Sequence, residues 1–268
     1  MLKNLLEIIW TAWCLLIAVL IVIINFPLLV VFILIWGEKE IAFIDYYLRF
    51  WARAILICWG IRMVYIKDPK LDFSKPYVFV SNHRSYLDVF IALLGIKHYK
   101  KFLGKAEVFD WPLIGYLADK LGHIPVRRDS AEHREQSFQN ILNVAKRGTS
   151  LFLCPEGAIF MNDNLLNEMR NGAFRVAIES RQDLVAITMV NAGELFPPHK
   201  LRIRPGKCIN YMSAPFKTNN LTLDDLDLLR ESVKEEILSN LLKHYPEGKY
   251  PVEFDPGHYN ETVYVKQS

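Results

Sequence analysis

Hydrophobic and polar positions divide the chain into three patterns. From Ile8 to Trp36 the residues are almost continuously Leu, Ile, Val, Phe and Trp, without a charge. That run exceeds the roughly 20 residues a membrane span requires. Asn25-Phe26-Pro27 interrupts it, and a proline removes a backbone donor and favours a bend. Two arrangements follow: one kinked span, or a helix with a short return segment, since Leu28 to Trp36 is too short to cross alone.

Ile41 to Ile66 is also apolar but carries Asp45, Arg49 and Arg53 four residues apart. At 3.6 residues per turn these make one polar stripe, with Phe43, Tyr47, Phe50 and Ile57 away from it. Such a helix fits a membrane interface; the alternative is burial against the remainder of the chain with one solvated edge.

Beyond Asp68-Pro69 short apolar runs alternate with helical patterns. Tyr77 to Val80, Lys101 to Gly104, Ile124 to Val126, Ser150 to Cys154 and Leu184 to Val190 read as strands. Val89 to Leu94, Trp111 to Leu121, Ser130 to Lys146 and Ala173 to Ser180 read as helices. This alternation predicts an α/β fold with a largely parallel sheet flanked by helices, following an N-terminal membrane-associated helical segment. The expected division is 1–66 for membrane anchoring and 67–268 for the α/β domain. Leu201 to Ile203 and Lys207 to Met212 lack helices between them and are expected as antiparallel edge strands. A last amphipathic helix is expected over Leu223–His244 with Thr222 as its N-cap, and the polar tail after Tyr245 is expected to wrap the surface.

Composition agrees with membrane contact: 51% of residues are hydrophobic, and mean hydropathy is slightly positive at +0.12. The net charge of +3 is too small to argue for nucleic acid and suits an anionic lipid surface. Cys14, Cys58, Cys154 and Cys208 lie far apart with no zinc-type spacing, so they read as buried thiols of a reducing compartment, and no metal is expected.

Candidate chemistry begins where the first strand of the α/β region hands over to a helix, at Ser81-Asn82-His83-Arg84-Ser85-Tyr86-Leu87-Asp88. Five residues rotate through about 140° on a helix, so His83 and Asp88 meet only if the histidine precedes the helix and the aspartate lies in its first turn. Ser85 as N-cap would place Asp88 there, either as an orienting carboxylate for a general base or merely as part of a capping box. Three later strand ends combine glycine with charge: Gly104-Lys105, Gly122 through Arg127-Arg128, and Pro155-Glu156-Gly157. Each alone is compatible with a solvated lysine, surface ion pairs or a tight turn.

Together, in this order and spacing, these segments resemble the glycerolipid acyltransferase family, over about residues 75–215. Its Asn-His-x4-Asp motif falls on Asn82, His83 and Asp88, and its Gly-x-Ile-x-Val-x-Arg motif on Gly122, Ile124, Val126 and Arg128. Pro155-Glu156-Gly157 matches a third, and Gly172-Ala173-Phe174 a further one, with Asn171 replacing a lysine. The resemblance implies membrane-bound transfer of a fatty acyl group from acyl-CoA or acyl carrier protein to a lysolipid hydroxyl. The implied acceptor is 1-acyl-glycerol-3-phosphate, giving phosphatidic acid.

His83 would be the base and Asp88 its orienter. Asn82, Lys105, Arg128, Glu156 and Gly157 would bind substrate, with no cofactor beyond the donor and the site at the cytoplasmic membrane face. One departure bears on the acceptor: Ala158-Ile159-Phe160 stands where the family usually has Thr-Arg-Ser. The fourth-motif strand also lacks its usual proline. A lyso-aminolipid is therefore an alternative acceptor, and a catalytically silent membrane-binding module is the alternative of another class.

Overall fold

The structure, a computed structural model, describes residues 2–36, 41–160, 162–198 and 200–249. Two helices lead: α1 (Leu2–Trp36) and α2 (Ile41–Cys58). The α/β unit follows as β1 (Ile61–Lys67), β2 (Val78–Ser81), α3 (Asp88–Gly95), β3 (Lys100–Lys105), α4 (Ala106–Phe109), α5 (Ile114–Lys120), β4 (Ile124–Val126), α6 (Ala131–Lys146), β5 (Ser150–Leu153), α7 (Gly172–Ser180), β6 (Leu184–Met189), α8 (Ala192–Leu195), β7 (Gly206–Met212) and α9 (Leu226–Leu242). The described strands form one seven-stranded sheet in the order β1-β7-β6-β2-β5-β3-β4. Every pairing is parallel except β6 with β7, so β2, β3, β4, β5 and β6 all end at the same edge.

Strand periodicity splits the interior into two layers. Phe79, with neighbouring Tyr77, faces a cluster containing Leu87, Ile91, Ala92 and Trp59, whereas Val78 and Val80 face one built with Ile141, Phe174, Val233 and Ile237. Helices therefore cover both faces, α1 to α3 on one and α6, α7 and α9 on the other. Each fully buried side chain of this size contributes about 1.5–3 kcal/mol, and the N-terminal helices supply several: Cys14, Ile55, Leu56 and Trp59 belong to the first cluster. The N-terminal helices are thus part of the core.

Several expectations are corrected. The Ile41–Ile66 stretch is not one helix: α2 stops at Cys58, Gly60 turns the chain at φ +65°, and Ile61–Lys67 enters the sheet beside β7. The sheet therefore reaches across the expected 66/67 division. β7 is antiparallel to β6 but is not an edge, because β1 lies beyond it, and Leu201 to Ile203 forms no strand. The last helix opens with a 3-10 turn at Leu223–Asp225, capped reciprocally by Thr222 and Asp225 as its sequence predicts. Of the tail, residues 250–268 lie outside the described residues.

Pro27 neither ends nor reverses α1, which runs on to Trp36. Asn25 beside it accepts a hydrogen bond from the Tyr47 hydroxyl at 2.5 Å, so the interrupted point is where α1 joins α2. By length and composition the Asn4–Ile33 part of α1 is able to cross a membrane, with a mean hydropathy of 3.2.

Two of the three residues of the α2 polar stripe, Asp45 and Arg49, face inward, whereas Arg53 is exposed. Asp45 and Arg49 are buried, 2.5 Å apart; Arg49 also donates to the Ile96 and His98 carbonyls, and the fully buried Lys100 reaches Asp45 at 3.2 Å. Paired charges inside the fold leave Phe43, Tyr46, Phe50 and Ile57 exposed, and α1 likewise exposes Ile9, Leu16, Val19, Ile23 and Leu28. Both helices display a mostly apolar outer face, with Arg53 exposed on α2.

Candidate active site

His83 is held at the end of β2 by a set of local constraints. Asn82, fully buried, donates to the Met189 carbonyl at 2.9 Å and accepts from the Met189 N–H at 2.8 Å, extending the β2–β6 ladder with a side chain. This occupies the amide with the chain's own backbone. The next residue turns out of the sheet, and its Nδ1 donates to Asp88 Oδ2 at 2.6 Å. The same oxygen accepts the Arg84 and Ser85 N–H groups at 3.1 and 3.3 Å, while Ser85 Oγ accepts the Leu87 N–H. The carboxylate thus fastens the preceding loop and the imidazole together, but it is no helix cap: α3 begins at Asp88 itself, with Leu87 rather than the expected Ser85 at its N-cap and no side-chain cap. With Nδ1 bearing the proton, Nε2 is left as acceptor. Burial lowers the His83 pKa, but Cys154 and the Asp88 hydrogen bond outweigh it and hold the group well above its ordinary value.

Glu156 comes to His83 from the loop after β5. It is buried, Oε1 accepts the His83 N–H at 2.7 Å, and Oε2 accepts the Asn167 N–H and Nδ2 at 3.2 and 2.8 Å. Both oxygens therefore serve the chain, and the residue expected to position substrate instead holds the histidine's backbone. Burial raises its pKa despite these donors.

Arg84, the residue after the histidine, is buried and was not singled out by sequence. It donates to the Phe160 carbonyl and to Asn162 Oδ1, both at 3.2 Å, and to the Asn162 carbonyl at 2.7 Å. Asn162 Nδ2 in turn donates to Asn167 Oδ1 at 2.8 Å. Arg84, Asn162, Asn167 and Glu156 thereby fasten the divergent Ala158-to-Phe160 segment to the histidine loop.

Gly157, at φ +82°, lies between two guanidinium groups. A Cβ there would come within 3.0 Å of Arg128 Nη1 and of Arg170 Nε, and Arg128 donates to the Gly157 carbonyl at 2.7 Å. Burial first, and then the neighbouring Arg170, lowers the Arg128 pKa. Two cations this close favour an anion between or above them. Arg170 thus brings a guanidinium to the loop whose Thr-Arg-Ser segment is missing. No local pattern marked Arg170, Asn162 or Asn167.

Lys105 ends β3 at the same sheet edge. It is three-quarters exposed and pairs with Glu107 at 3.1 Å, so it stands apart from the linked group around His83. Among the described residues no three His, Cys, Asp or Glu side chains gather as metal ligands.

Residues 63–190 match the family model described as Acyltransferase. The chain is 33% identical over 122 residues to the chloroplastic 1-acyl-sn-glycerol-3-phosphate acyltransferase LPAT1 of Arabidopsis thaliana, covering 46% of this chain but only 34% of that protein. It is 40% identical over 91 residues to the lyso-ornithine lipid O-acyltransferase of Pseudomonas aeruginosa, 34% of each. A 1-acyl-sn-glycerol-3-phosphate acyltransferase of Limnanthes douglasii aligns more widely, at 24% identity over 83% of this chain and 79% of its own. The fold resembles the crystal structure of the PlsC acyltransferase from Thermotoga maritima with a TM-score of 0.73, covering 91% of this chain and 98% of that one at 15% identity.

Proposed function

From the match of residues 63–190 to the acyltransferase family model, we propose that the chain is a member of that family and that it transfers a fatty acyl group from a thioester to the hydroxyl of a lysolipid. The acceptor is 1-acyl-glycerol-3-phosphate and the product phosphatidic acid. The observation that carries the reading is the Asp88 oxygen 2.6 Å from His83 Nδ1. A hydroxyl is a poor nucleophile until a base takes its proton; Nε2 takes it, and the carboxylate stabilises the imidazolium that forms. Arg128 and Arg170 supply the positive charge for the acceptor phosphate. The donor, acyl-CoA or acyl carrier protein, is consumed as a substrate, and the reaction requires no resident cofactor or metal because the acceptor brings the attacking group.

A lysolipid resides in the bilayer, so the outer faces of α1 and α2 hold the enzyme in the membrane. The four cysteines, none in a disulfide, suit a site on the cytoplasmic side. Deleting residues 1–60 would remove Trp59 and its core neighbours, so the clean perturbation is at the outer face. Ile9→Glu, Leu16→Glu and Ile23→Glu together are expected to abolish vesicle flotation while the catalytic unit keeps its fold; continued flotation refutes the placement.

The test of function is acyl transfer by the purified full chain to lysophosphatidate. His83→Ala is expected to abolish it, and near-normal turnover of that variant would sink the proposal. A second reading has its own support: the 40% match to a lyso-ornithine lipid enzyme and the Ala158-Ile159-Phe160 replacement favour a lyso-aminolipid acceptor. Side-by-side kcat/KM values for the two acceptors decide between them.

A further inference from the structure

We propose that Ser85 is a positioning residue for the His83–Asp88 pair and that Phe196 ties it to α1, so that the first turns of α1 set the geometry of the catalytic loop. The inference rests on the acyl-transfer reading above and deepens it. By sequence Ser85 is a helix cap, but the structure uses it otherwise. It is fully buried, its N–H donates to Asp88 Oδ2 at 3.3 Å, and its carbonyl accepts the Asp88 N–H at 3.3 Å, so Asp88 is gripped by side chain and backbone together. Ser85 Oγ accepts the Leu87 N–H at 3.1 Å and donates to the Phe196 carbonyl at 2.7 Å. A hydroxyl has a single proton to give, and this one leaves the loop for a distant part of the chain.

Two routes from α1 converge on Phe196. In the first, Thr11 Oγ1 donates to the Glu7 carbonyl at 2.7 Å and accepts the Ile203 N–H at 3.1 Å. The Glu7 carboxylate holds Arg202 at 3.1 Å and Arg204 at 3.6 Å on either side of that contact. The Arg204 N–H then donates to the Leu195 carbonyl at 2.8 Å, which brings α1 to the residue before Phe196. In the second route, Trp59 Nε1 donates to the Cys14 carbonyl at 2.8 Å, and the Trp59 ring meets the Phe196 ring edge to face with centroids 5.8 Å apart. Glu7, Thr11 and Cys14 follow one another at helical spacing, so a single side of α1 carries both routes. The Phe196 ring also meets Tyr86, the loop residue after Ser85, at 5.6 Å.

The consequence is for turnover rather than for acceptor binding. Asp88 serves only while Oδ2 stays on His83 Nδ1, and a misplacement of about 1 Å in a catalytic group costs on the order of 100-fold in rate. Arg128 and Arg170 meet at Gly157, in a different loop, and neither is among the Ser85 or Phe196 contacts. A looser Ser85 therefore lowers kcat and leaves the acceptor KM in place. It also lowers the pH at which His83 gives up its proton, because the Asp88 bond is among the interactions that raise that group.

The experiment is steady-state transfer from palmitoyl-CoA to lysophosphatidate across pH, with the full chain in lipid–detergent micelles, for the wild type, Ser85→Ala, Thr11→Val and the double variant. Valine has the shape of threonine but neither accepts the Ile203 N–H nor donates to the Glu7 carbonyl. Ser85→Ala is expected to lower kcat roughly 30-fold and Thr11→Val about fivefold, each with an acceptor KM within about threefold of wild type. Each should also move the rising limb of kcat/KM to lower pH. A smaller folded fraction would scale kcat and leave that limb where it was, so the limb separates positioning from mere stability. The double variant should fall no further than Ser85→Ala, since both changes cut one chain of contacts. Thr11→Val with wild-type kcat and limb, or a double variant whose loss is the product of the two single losses, overturns the tie to α1. Ser85→Ala with kcat within about threefold of wild type and an unmoved limb overturns the positioning role; should that variant not fold, the kcat and limb of Thr11→Val decide. If His83→Ala is inactive in these cases the acyl-transfer reading stands alone, and a wild-type chain without transfer overturns both.

Discussion

Replacing Asp88 by Asn separates the two roles that its carboxylate combines. An Asn oxygen placed where Oδ2 lies keeps the bonds from the Arg84 and Ser85 N–H groups and from His83 Nδ1. The amide nitrogen then occupies the position of Oδ1, which is buried and has no hydrogen-bond partner. Exchanging an orphaned acceptor for an orphaned donor changes stability by about 1–3 kcal/mol at most. Melting should fall by no more than about 10 °C in a chain of this size.

The charge is another matter. With Asp88 only 1% exposed, solvent screens the pair poorly. A carboxylate with its charge about 4 Å from an imidazolium contributes ~4 kcal/mol at an effective dielectric of about 20. That stabilisation acts on the transition state, where the imidazolium forms, so the rate should fall roughly 1,000-fold. The assay is steady-state transfer from palmitoyl-CoA to lysophosphatidate across pH. A neutral base is the active form, so wild-type kcat/KM should rise with pH through a His83 pKa lying well above 6.5. In Asp88→Asn that limb should move to lower pH, because one of the interactions that raises it is gone. Activity within tenfold of wild type, with the limb unmoved, would reduce Asp88 to a holder of the Arg84 and Ser85 N–H groups and refute the reasoning.

Three further expectations follow from the surroundings. Arg84→Met should destabilise the protein by about 2–4 kcal/mol through loss of three charge-assisted bonds to Phe160 and Asn162, measured by urea unfolding, and Arg84→Lys should rescue little because one ammonium cannot span both residues. Arg128→Ala and Arg170→Ala should each raise KM for lysophosphatidate roughly tenfold or more while leaving the donor KM unchanged; an effect confined to the donor would place the head group elsewhere. Burial lowers the Lys100 pKa from 10.5 to about 7, so the unfolded chain holds a proton that the folded one releases between those values. Its contribution to stability is therefore present above about 10.5 and lost as pH falls through about 7. Lys100→Met should be free of that dependence, read as the wild-type-minus-variant difference in melting temperature between pH 6.5 and 9.

Much of this protein is written in local sequence. The apolar strand from Tyr77 to Val80, the Ser130–Lys146 helix and the Thr222 cap depend on neighbours a few residues away, and local chemistry settles them. The His83 junction was legible for the same reason: a β-branched run followed by Ser85 and Asp88 contains its own turn and helix start. Motif order likewise located Arg128 and Pro155-Glu156-Gly157 at one sheet edge, since parallel strands must end together.

Tertiary structure decided whatever depended on an opposing surface. Periodicity gives α2 a polar stripe but does not say which side is wet; Lys100 and the Ile96 and His98 carbonyls, brought by another part of the chain, turned Asp45 and Arg49 inward, leaving Arg53 and the aromatic face outward. Glu156 was read as a substrate ligand because nothing local revealed that the His83 N–H and Asn167 would claim both its oxygens. Arg84 reaching Asn162 and Arg170 beside Gly157 are contacts between segments that only the closed sheet brings together. The sequence by itself determined which residues stand at the active edge, because that follows from strand direction. Which of them face one another was decided by packing, because a side chain's partner across the fold leaves no trace in its own neighbourhood.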